Sequence, residues 1–259
     1  MFLIVIFAAV SLCTLNCKDT APDSPAPAVS TKDDGTEKGE QIVSEYLKRD
    51  SSPFRKTRVR LTIEREDKTK QIYVLETLRK QTDSETRSLT RILEPKEDND
   101  AATLTIEKED KPTVNINYIA SRKQFRESGT NKIFFGGLTS QELLGEWDKY
   151  KHRLLSEKGG TYEVESTLKQ KEKSVIARIV THFGADDYLP RQLHLFNSDG
   201  KEIRTFKVEE TREVGDKKII SRMRINNHVY TTIVTLEILK TTFPENISSS
   251  SFEREVLKP

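Results

Sequence analysis

Apolar residues alternate with polar ones along most of the chain, and this period of two constrains the fold more than any other feature. In residues 57–64, the side chains of Val59, Leu61 and Ile63 alternate with charged or hydroxyl side chains. Successive side chains of a strand point to opposite faces, so the pattern predicts a half-buried antiparallel strand. The same alternation recurs in residues 103–107, 113–118, 174–180 and 230–238.

Turn residues separate these segments from further, weaker ones. Residues 66–68, 197–200 and 214–216 combine Asp, Asn, Ser, Gly and charged residues, which favour turns. Ten or eleven short strands at hairpin spacing predict a mainly β (α+β) fold, with one large curved antiparallel sheet or an open half-barrel. The additional strands are expected in residues 70–80, 86–94, 160–169, 191–197, 202–211 and 217–227.

Two amphipathic segments are expected to be helices that cover the sheet. Residues 40–47 place Ile42, Val43, Tyr46 and Leu47 on one stripe, the spacing of a short helix. The second candidate helix, residues 141–147, follows Gly136 and Gly137 and a capping Thr or Ser. Its apolar side chains are the expected lid over the sheet: Leu143, Leu144 and Trp147.

Composition agrees with one sheet that has one wet face. The chain is 34% hydrophobic and 32% charged, which is lean for a compact two-layer core. Its formal net charge is +2, and its basic residues are dispersed among acidic ones. This distribution argues against a nucleic-acid partner.

The N-terminal segment has the pattern of an export signal. An apolar run covers residues 2–10, and both cysteines of the chain, Cys13 and Cys17, follow it before a hydrophilic stretch. This run is too short for a permanent transmembrane helix. We expect a lipoprotein signal over residues 1–17, with Cys17 as the lipid anchor and the protein held on the periplasmic face of a bacterial envelope membrane. The alternative is an ordinary secretory signal that releases a soluble periplasmic protein.

Composition divides the rest of the chain into a tether and one domain. Residues 18–38 are rich in Asp, Pro, Ala, Ser, Thr, Lys and Gly, which is typical of a flexible linker. Residues 39–259 have the length of a single domain. No cysteine is left in that domain to form a disulfide.

Catalytic and metal-binding patterns are weak, and neither an enzyme activity nor a cofactor is expected. The four histidines lack the spacing of metal ligands. His182 and His194 could meet on neighbouring strands, with Asp186 or Asp187 nearby, but solvent-facing strand and turn residues are the favoured interpretation. Neither a nucleophile elbow nor a phosphate-binding loop occurs.

A cluster of basic residues offers a separate hypothesis, which is contact with anionic lipid head groups or with an acidic envelope protein. Because one residue in three is charged, a solvated surface is the favoured interpretation of the cluster. The cluster comprises Arg122, Lys123, Arg126 and Lys132.

Several short motifs resemble the LolA/LolB-like lipoprotein-sorting proteins of the bacterial outer membrane. They are Leu93-Glu94-Pro95, residues 118–126, residues 134–143, residues 189–196 and Asp199-Gly200-Lys201. The resemblance implies an open, strongly curved sheet closed off by helices, with an apolar cavity that receives acyl chains. The chain departs from the family where Gly136-Gly137 continues almost directly into the helix, and where Cys17 suggests anchoring instead of shuttling.

The resemblance therefore implies an envelope lipoprotein that binds the acyl chains of lipids or lipoproteins, for sorting or for outer-membrane biogenesis. The alternative is a periplasmic sensor or regulator that binds a protein partner through the same fold, and a third interpretation is a scaffold for protein contacts. The expected cavity lining is Val59, Leu61, Ile63, Val74, Leu104, Ile106, Ile116, Tyr118, Leu193, Leu195, Met223, Ile225, Val234 and Leu236.

Overall fold

Thirteen strands form one antiparallel sheet in the computed structural model, which describes residues 34–49, 52–95, 102–108, 111–119, 122–128, 135–138, 147–169 and 175–258. The strands are β1 (Phe54–Glu64), β2 (Lys70–Gln81), β3 (Glu85–Glu94), β4 (Ala102–Lys108), β5 (Val114–Ile119), β6 (Gln124–Ser128), β7 (Tyr150–Lys158), β8 (Thr161–Leu168), β9 (Arg178–Gly184), β10 (Pro190–Phe196), β11 (Glu202–Val214), β12 (Lys217–Asn227) and β13 (Thr232–Thr242).

The strand order shows that the sheet is open. It runs β6-β5-β4-β3-β2-β1-β13-β12-β11-β10-β9-β8-β7, so the first and last strands of the chain pair in the middle. Strands β6 and β7 are the two edges. The predicted fold class, a large open antiparallel sheet, is confirmed.

The two edge strands are the ones that the sequence pattern did not predict. β6 has a single large apolar side chain, Phe125, and β7 alternates only through Tyr150, His152 and Leu154 before a bulge. An edge strand pairs on one side only, and natural edges carry charged residues that discourage further pairing. The charged composition that protects these edges also hides their periodicity.

One α-helix, α1 (Thr36–Lys48), covers part of the sheet, and its position matches the predicted first helix. Its residues Ile42, Val43 and Tyr46 are buried. Leu154 donates its backbone N–H to the carbonyl oxygen of Gly35 at 2.9 Å, which holds the start of the helix on β7. The helix therefore begins inside the segment expected to be a tether.

Side-chain rows across the strands define two faces of the sheet, since residues directly opposite each other share a face. The α1 face carries the apolar row that leads from β1 to the helix. That row is Ile63, Val234, Ile225, Phe206, Leu193, Thr181 and Val164. The opposite face, here called the C-terminal face, carries another row, which is Lys56, Leu78, Leu89, Leu104 and Ile116.

The C-terminal residues cover the apolar part of the second face. Two short 3-10 helices, Ser249–Phe252 and Arg254–Leu257, bury Phe252 and Leu257 against Leu89, Leu104 and Ile116. The Arg91 guanidinium donates a hydrogen bond to the carbonyl oxygen of Val256. The sheet thus has apolar core residues on both faces.

Residues 1–33 lie outside the described residues, as do Cys17 and most of the expected tether. Leu143 and Leu144 of the expected second helix also lie outside them. Among the helices that are described, none has both the length and the apolar character required to span a membrane.

Replacing Phe252 by Ala should destabilise the protein by about 3 kcal/mol or more, because a fully buried aromatic side chain leaves a cavity. Ile72→Ala is the matched control, since Ile72 is an exposed apolar side chain in the same sheet. Chemical denaturation measures both. Equal effects of the two substitutions would contradict the assignment of the C-terminal segment to the core.

Candidate functional site

A pocket opens between the end of α1 and the α1 face of the sheet. Its floor is apolar, and its cavity volume is about 70 Å³. The lining residues come from α1, the start of β1, the start of β12, the end of β13 and two neighbouring loops. They are Tyr46, Arg49, Arg55, Thr57, Leu189, Lys217, Lys218, Ile219, Ile220, Met223, Leu236, Ile238, Thr241 and Phe243.

The central antiparallel strands bring these distant segments together. The first residues of β1 pair with the last residues of β13, with Thr57 opposite Thr241 and Val59 opposite Ile238. β12 runs beside β13 with Met223 opposite Leu236. The apolar residues of these three strands form the pocket floor because they occupy the same face.

The opposite end of the same face is closed by residues 135–138. Leu138 is buried in the core there. The carbonyl oxygen of Gly136 accepts hydrogen bonds from Asn227 Nδ2 at 2.9 Å and from Thr232 Oγ1 at 3.0 Å. The Arg204 guanidinium donates to the carbonyl oxygen of Gly137 at 2.9 Å. Among the described residues, the pocket lies at the end beside Tyr46.

Gly136 is required at this closure for two reasons. Its backbone has φ 64°, a left-handed conformation that side chains disfavour. A Cβ at this position would also collide with the Val234 side chain. The glycine pair, expected to precede the lid helix, is held by side chains of β11, β12 and β13.

Positive charge surrounds the pocket. Arg49, Arg55, Lys217 and Lys218 all line it, and none of the described lining residues is acidic. Arg55 has the same alternation as Val59, so it projects onto the apolar face, and it is only 9% exposed. The Lys217 ammonium lies 5.3 Å from the centre of the Phe243 ring.

Asp187, just outside the lining, holds Lys218 in place. Its carboxylate accepts hydrogen bonds from Lys218 Nζ at 2.7 Å, from Arg191 Nη2 at 2.9 Å and from the backbone N–H of Leu189 at 3.0 Å. Burial by itself would raise the pKa of Asp187. The hydrogen bonds from Lys218, Leu189 and Arg191 outweigh that effect and hold the pKa below its ordinary value.

The only Trp of the chain, Trp147, lies in the core next to the pocket lining and does not itself line the pocket. Trp147 is buried beneath α1, and its ring meets that of Tyr46 edge-on with centroids 5.8 Å apart. Tyr46 in turn lines the pocket. His152 fixes the backbone of Trp147 through its Nε2, at 3.1 Å from the carbonyl oxygen. Trp147 is therefore packed in the core and separated from the pocket by one aromatic ring.

The expected cavity lining is divided between the two faces. Nine of its residues lie on the α1 face, and two of these, Met223 and Leu236, line the pocket. The seven others pack in or against the core beneath it: Val59, Leu61, Ile63, Leu193, Leu195, Ile225 and Val234.

The remaining five residues lie on the C-terminal face, which corrects the expectation of one shared lining. Val74 pairs with Arg60, and Leu104 pairs with Leu89. Alternation assigns a strand two faces without saying which one it shares with its neighbours, and in β2 both alternations carry apolar residues. The residues on this face are Val74, Leu104, Ile106, Ile116 and Tyr118.

The basic cluster lies at the β6 edge, far from the pocket in strand order. Arg122, Lys123 and Arg126 are exposed there, and Lys132 lies outside the described residues. Glu127, the neighbour of Arg126 in the sequence, is paired with Arg254 of the C-terminal segment.

His182 and His194 do meet on neighbouring strands, with ring centroids 6.0 Å apart. Asp187 is engaged by Lys218 and Arg191, however, and His194 Nδ1 lies 2.7 Å from Glu202 Oε1. Within the part of the chain that the structure describes, no three or more His, Cys, Asp or Glu side chains are placed to hold a metal ion.

Sequence reasoning missed the cations of the pocket. The sequence does indicate the position of Arg55. This charged residue continues the apolar alternation of β1, so it must face the same side of the sheet as Val59. No sequence pattern indicates that Arg49 and Lys217 lie at the pocket, because they belong to segments that the sheet brings together only in the folded protein.

The comparisons with known proteins agree with this fold. Residues 84–259 match the model of a family described as an uncharacterized protein, and the chain belongs to that family. None of the curated proteins matches the sequence.

Solved structures are similar in fold at low identity. A DUF1329 family protein from Desulfovibrio piger superposes with a TM-score of 0.80 at 16% identity, covering 87% of this chain and 100% of its own. An outer membrane lipoprotein-sorting protein domain from Vibrio parahaemolyticus superposes with a TM-score of 0.78 at 18% identity. The match covers 86% of this chain and 100% of that domain. A LolA superfamily protein from Nitrosomonas europaea superposes with a TM-score of 0.70 at 12% identity. The match covers 84% of this chain and 98% of that protein. The resemblance to LolA-like proteins is confirmed at the level of the fold.

Asp187→Asn should destabilise the protein at pH 7 by roughly 1–3 kcal/mol, because it removes the charge that Lys218 and Arg191 bind. The lowered pKa means that the carboxylate stabilises the fold above about pH 4, and that this contribution is lost as the pH falls through the folded-state pKa. Thermal unfolding at pH 7 and near pH 3 should therefore show a smaller difference from the original protein at the lower pH.

Asp186→Asn is the matched control, since the neighbouring Asp186 side chain is 75% exposed. It should change the unfolding midpoint little at either pH. A loss of stability in Asp187→Asn that is the same at both pH values would show that the charge of Asp187 is not the cause.

Proposed function

We propose that this protein is a LolA-like envelope lipoprotein that binds acyl chains of lipids or lipoproteins in the pocket beside Tyr46, for lipoprotein sorting or outer-membrane biogenesis. The observation that carries the proposal is the pocket floor, where Met223, Leu236 and Ile238 present apolar surface next to an opening. Similarity in fold to a lipoprotein-sorting domain and to a LolA superfamily protein supports it. The proposed activity is binding without a chemical step.

Burial of alkyl groups supplies the affinity in this proposal. Each buried methylene contributes about 0.8 kcal/mol, so about ten of them supply the roughly 8 kcal/mol of a micromolar affinity, before the cost of association is subtracted. The cavity of about 70 Å³ receives the end of a chain and not its whole length. Deeper entry requires movement of lining side chains, and the unbranched Met223 is suited to that movement.

A second candidate is a sensor or regulator that binds a protein partner. The small cavity volume favours it, because sites for whole small molecules usually measure about 300–1,000 Å³. In this case the cationic opening would contact an acidic segment of the partner, and the apolar floor would accept one of its side chains.

Titration with a single-chain amphiphile distinguishes these candidates. Dodecyl maltoside, kept below its micelle threshold, should shift Trp147 emission saturably, because Tyr46 lies between the indole and the pocket. The Ile220→Glu variant should weaken binding at least tenfold by placing a carboxylate on the apolar lining.

Ile72→Glu is the control for the added charge, since Ile72 is exposed and does not line the pocket. It should bind as the original protein does. An emission spectrum that does not respond to the amphiphile, in protein shown to be folded, would reject acyl binding and favour the protein-partner candidate.

We propose further that Cys17 carries the lipid anchor, because it ends the apolar run and precedes the expected tether. The Cys17→Ser variant should move from the membrane fraction to the soluble periplasmic fraction in a detergent phase-separation assay. Cys13→Ser is the matched control and should stay with the membrane. If Cys17→Ser also stays there, the anchor is not at this residue.

A further inference from the structure

The cations around the pocket are arranged asymmetrically relative to its apolar floor. Arg49 follows the last turn of α1, Arg55 begins β1, and Lys217 begins β12, so three separate segments each contribute a positive charge to one opening. The floor beneath them consists of Met223, Leu236 and Ile238 on the α1 face. A ligand that fills this site would therefore meet positive charge at one end and apolar surface at the other.

None of the described residues that line the pocket is acidic. Lys218 gives a hydrogen bond to Asp187, an acidic group that is not among the lining residues. The Nε atom of Arg49 is buried and has no hydrogen-bond partner among the described residues. A buried donor without a partner is costly, and a ligand oxygen placed beside it would remove that cost.

We infer that the pocket selects amphiphiles with an anionic head group, a phosphate or a carboxylate, whose alkyl chain enters over Met223. This inference rests on the proposed function and names the class of ligand that the site prefers. Hydrogen bonds between ionised partners are stronger than neutral ones, and guanidinium groups match the geometry of phosphate and carboxylate oxygens. The preference over an uncharged head group of equal chain length should be on the order of tenfold or more.

Ligands of one chain length test the inference on the full chain carrying Cys17→Ser. Dodecyl phosphate, dodecylphosphocholine and dodecyl maltoside are titrated below their micelle thresholds, and inorganic phosphate is titrated alone, with Trp147 emission and calorimetry as readouts. Dodecyl phosphate should bind at least tenfold more tightly than the other two amphiphiles. Raising the salt concentration should weaken dodecyl phosphate binding and leave dodecyl maltoside binding nearly unchanged.

Variants of the opening identify the residues responsible. Arg49→Gln combined with Lys217→Gln should abolish the preference for dodecyl phosphate while dodecyl maltoside still binds. Lys48→Gln is the matched control, because Lys48 is the exposed neighbour of Arg49 and pairs with Glu45. If the double variant does not fold, the ligand series and its salt dependence on the original opening decide the question.

Each outcome has a distinct meaning. Equal binding of the three amphiphiles would overturn the anionic preference and leave the proposed function standing. Inorganic phosphate that binds as tightly as dodecyl phosphate would show that the site recognises a free anion and needs no alkyl chain. Calorimetry and emission that detect none of the amphiphiles would overturn the inference together with the proposed function.

Discussion

The apolar surface of the sheet changes face between β2 and β4, and the position of every covering element depends on this change. On the α1 face, apolar residues end at Leu75 and Ile92, and the next row is polar, with Thr77 and Thr90 hydroxyls 3.0 Å apart. On the C-terminal face, the apolar cluster beneath the C-terminal segment includes Leu78 and Leu89. Each half of the sheet must therefore be covered on a different side, because exposed apolar surface is unfavourable in water.

Small elements provide this cover in the part of the chain that the structure describes. α1 covers the half that ends at β7, and the 3-10 helices of the C-terminal segment cover the half that ends at β6. A helix of thirteen residues is about 20 Å long, whereas a strand of eleven residues extends about 36 Å. Since α1 is shorter than the strands, residues 135–138 close one end of the α1 face and the pocket opens at the other.

The location of the pocket also explains its charge. The ends of strands and helices are where the chain meets solvent, so long cationic side chains can bury their stems on the apolar floor and keep their charged ends near water. Lys217 and Lys218 use this geometry at the start of β12, with Asp187 bracing the second of them. A cationic opening above an apolar floor is the consequence, and the proposed preference for anionic amphiphiles derives from it.

The sequence alone determined the elements but not their assembly. Period-two alternation predicted eleven of the strands and the short apolar stripe predicted α1, because local periodicity reports which side chains are buried together. The two polar edge strands were not predicted from the sequence, because an edge strand is selected for charge as much as for burial.

Only the tertiary structure decided which faces are shared. Leu61 and Leu104 have the same local pattern, yet strand register places them on opposite sides of the sheet, the α1 face and the C-terminal face respectively. The pocket cations come from positions 49, 55, 217 and 218, which are adjacent only because β1, β13 and β12 pair in the middle of the sheet. Register is a relation between distant segments, and no periodicity within one segment contains it.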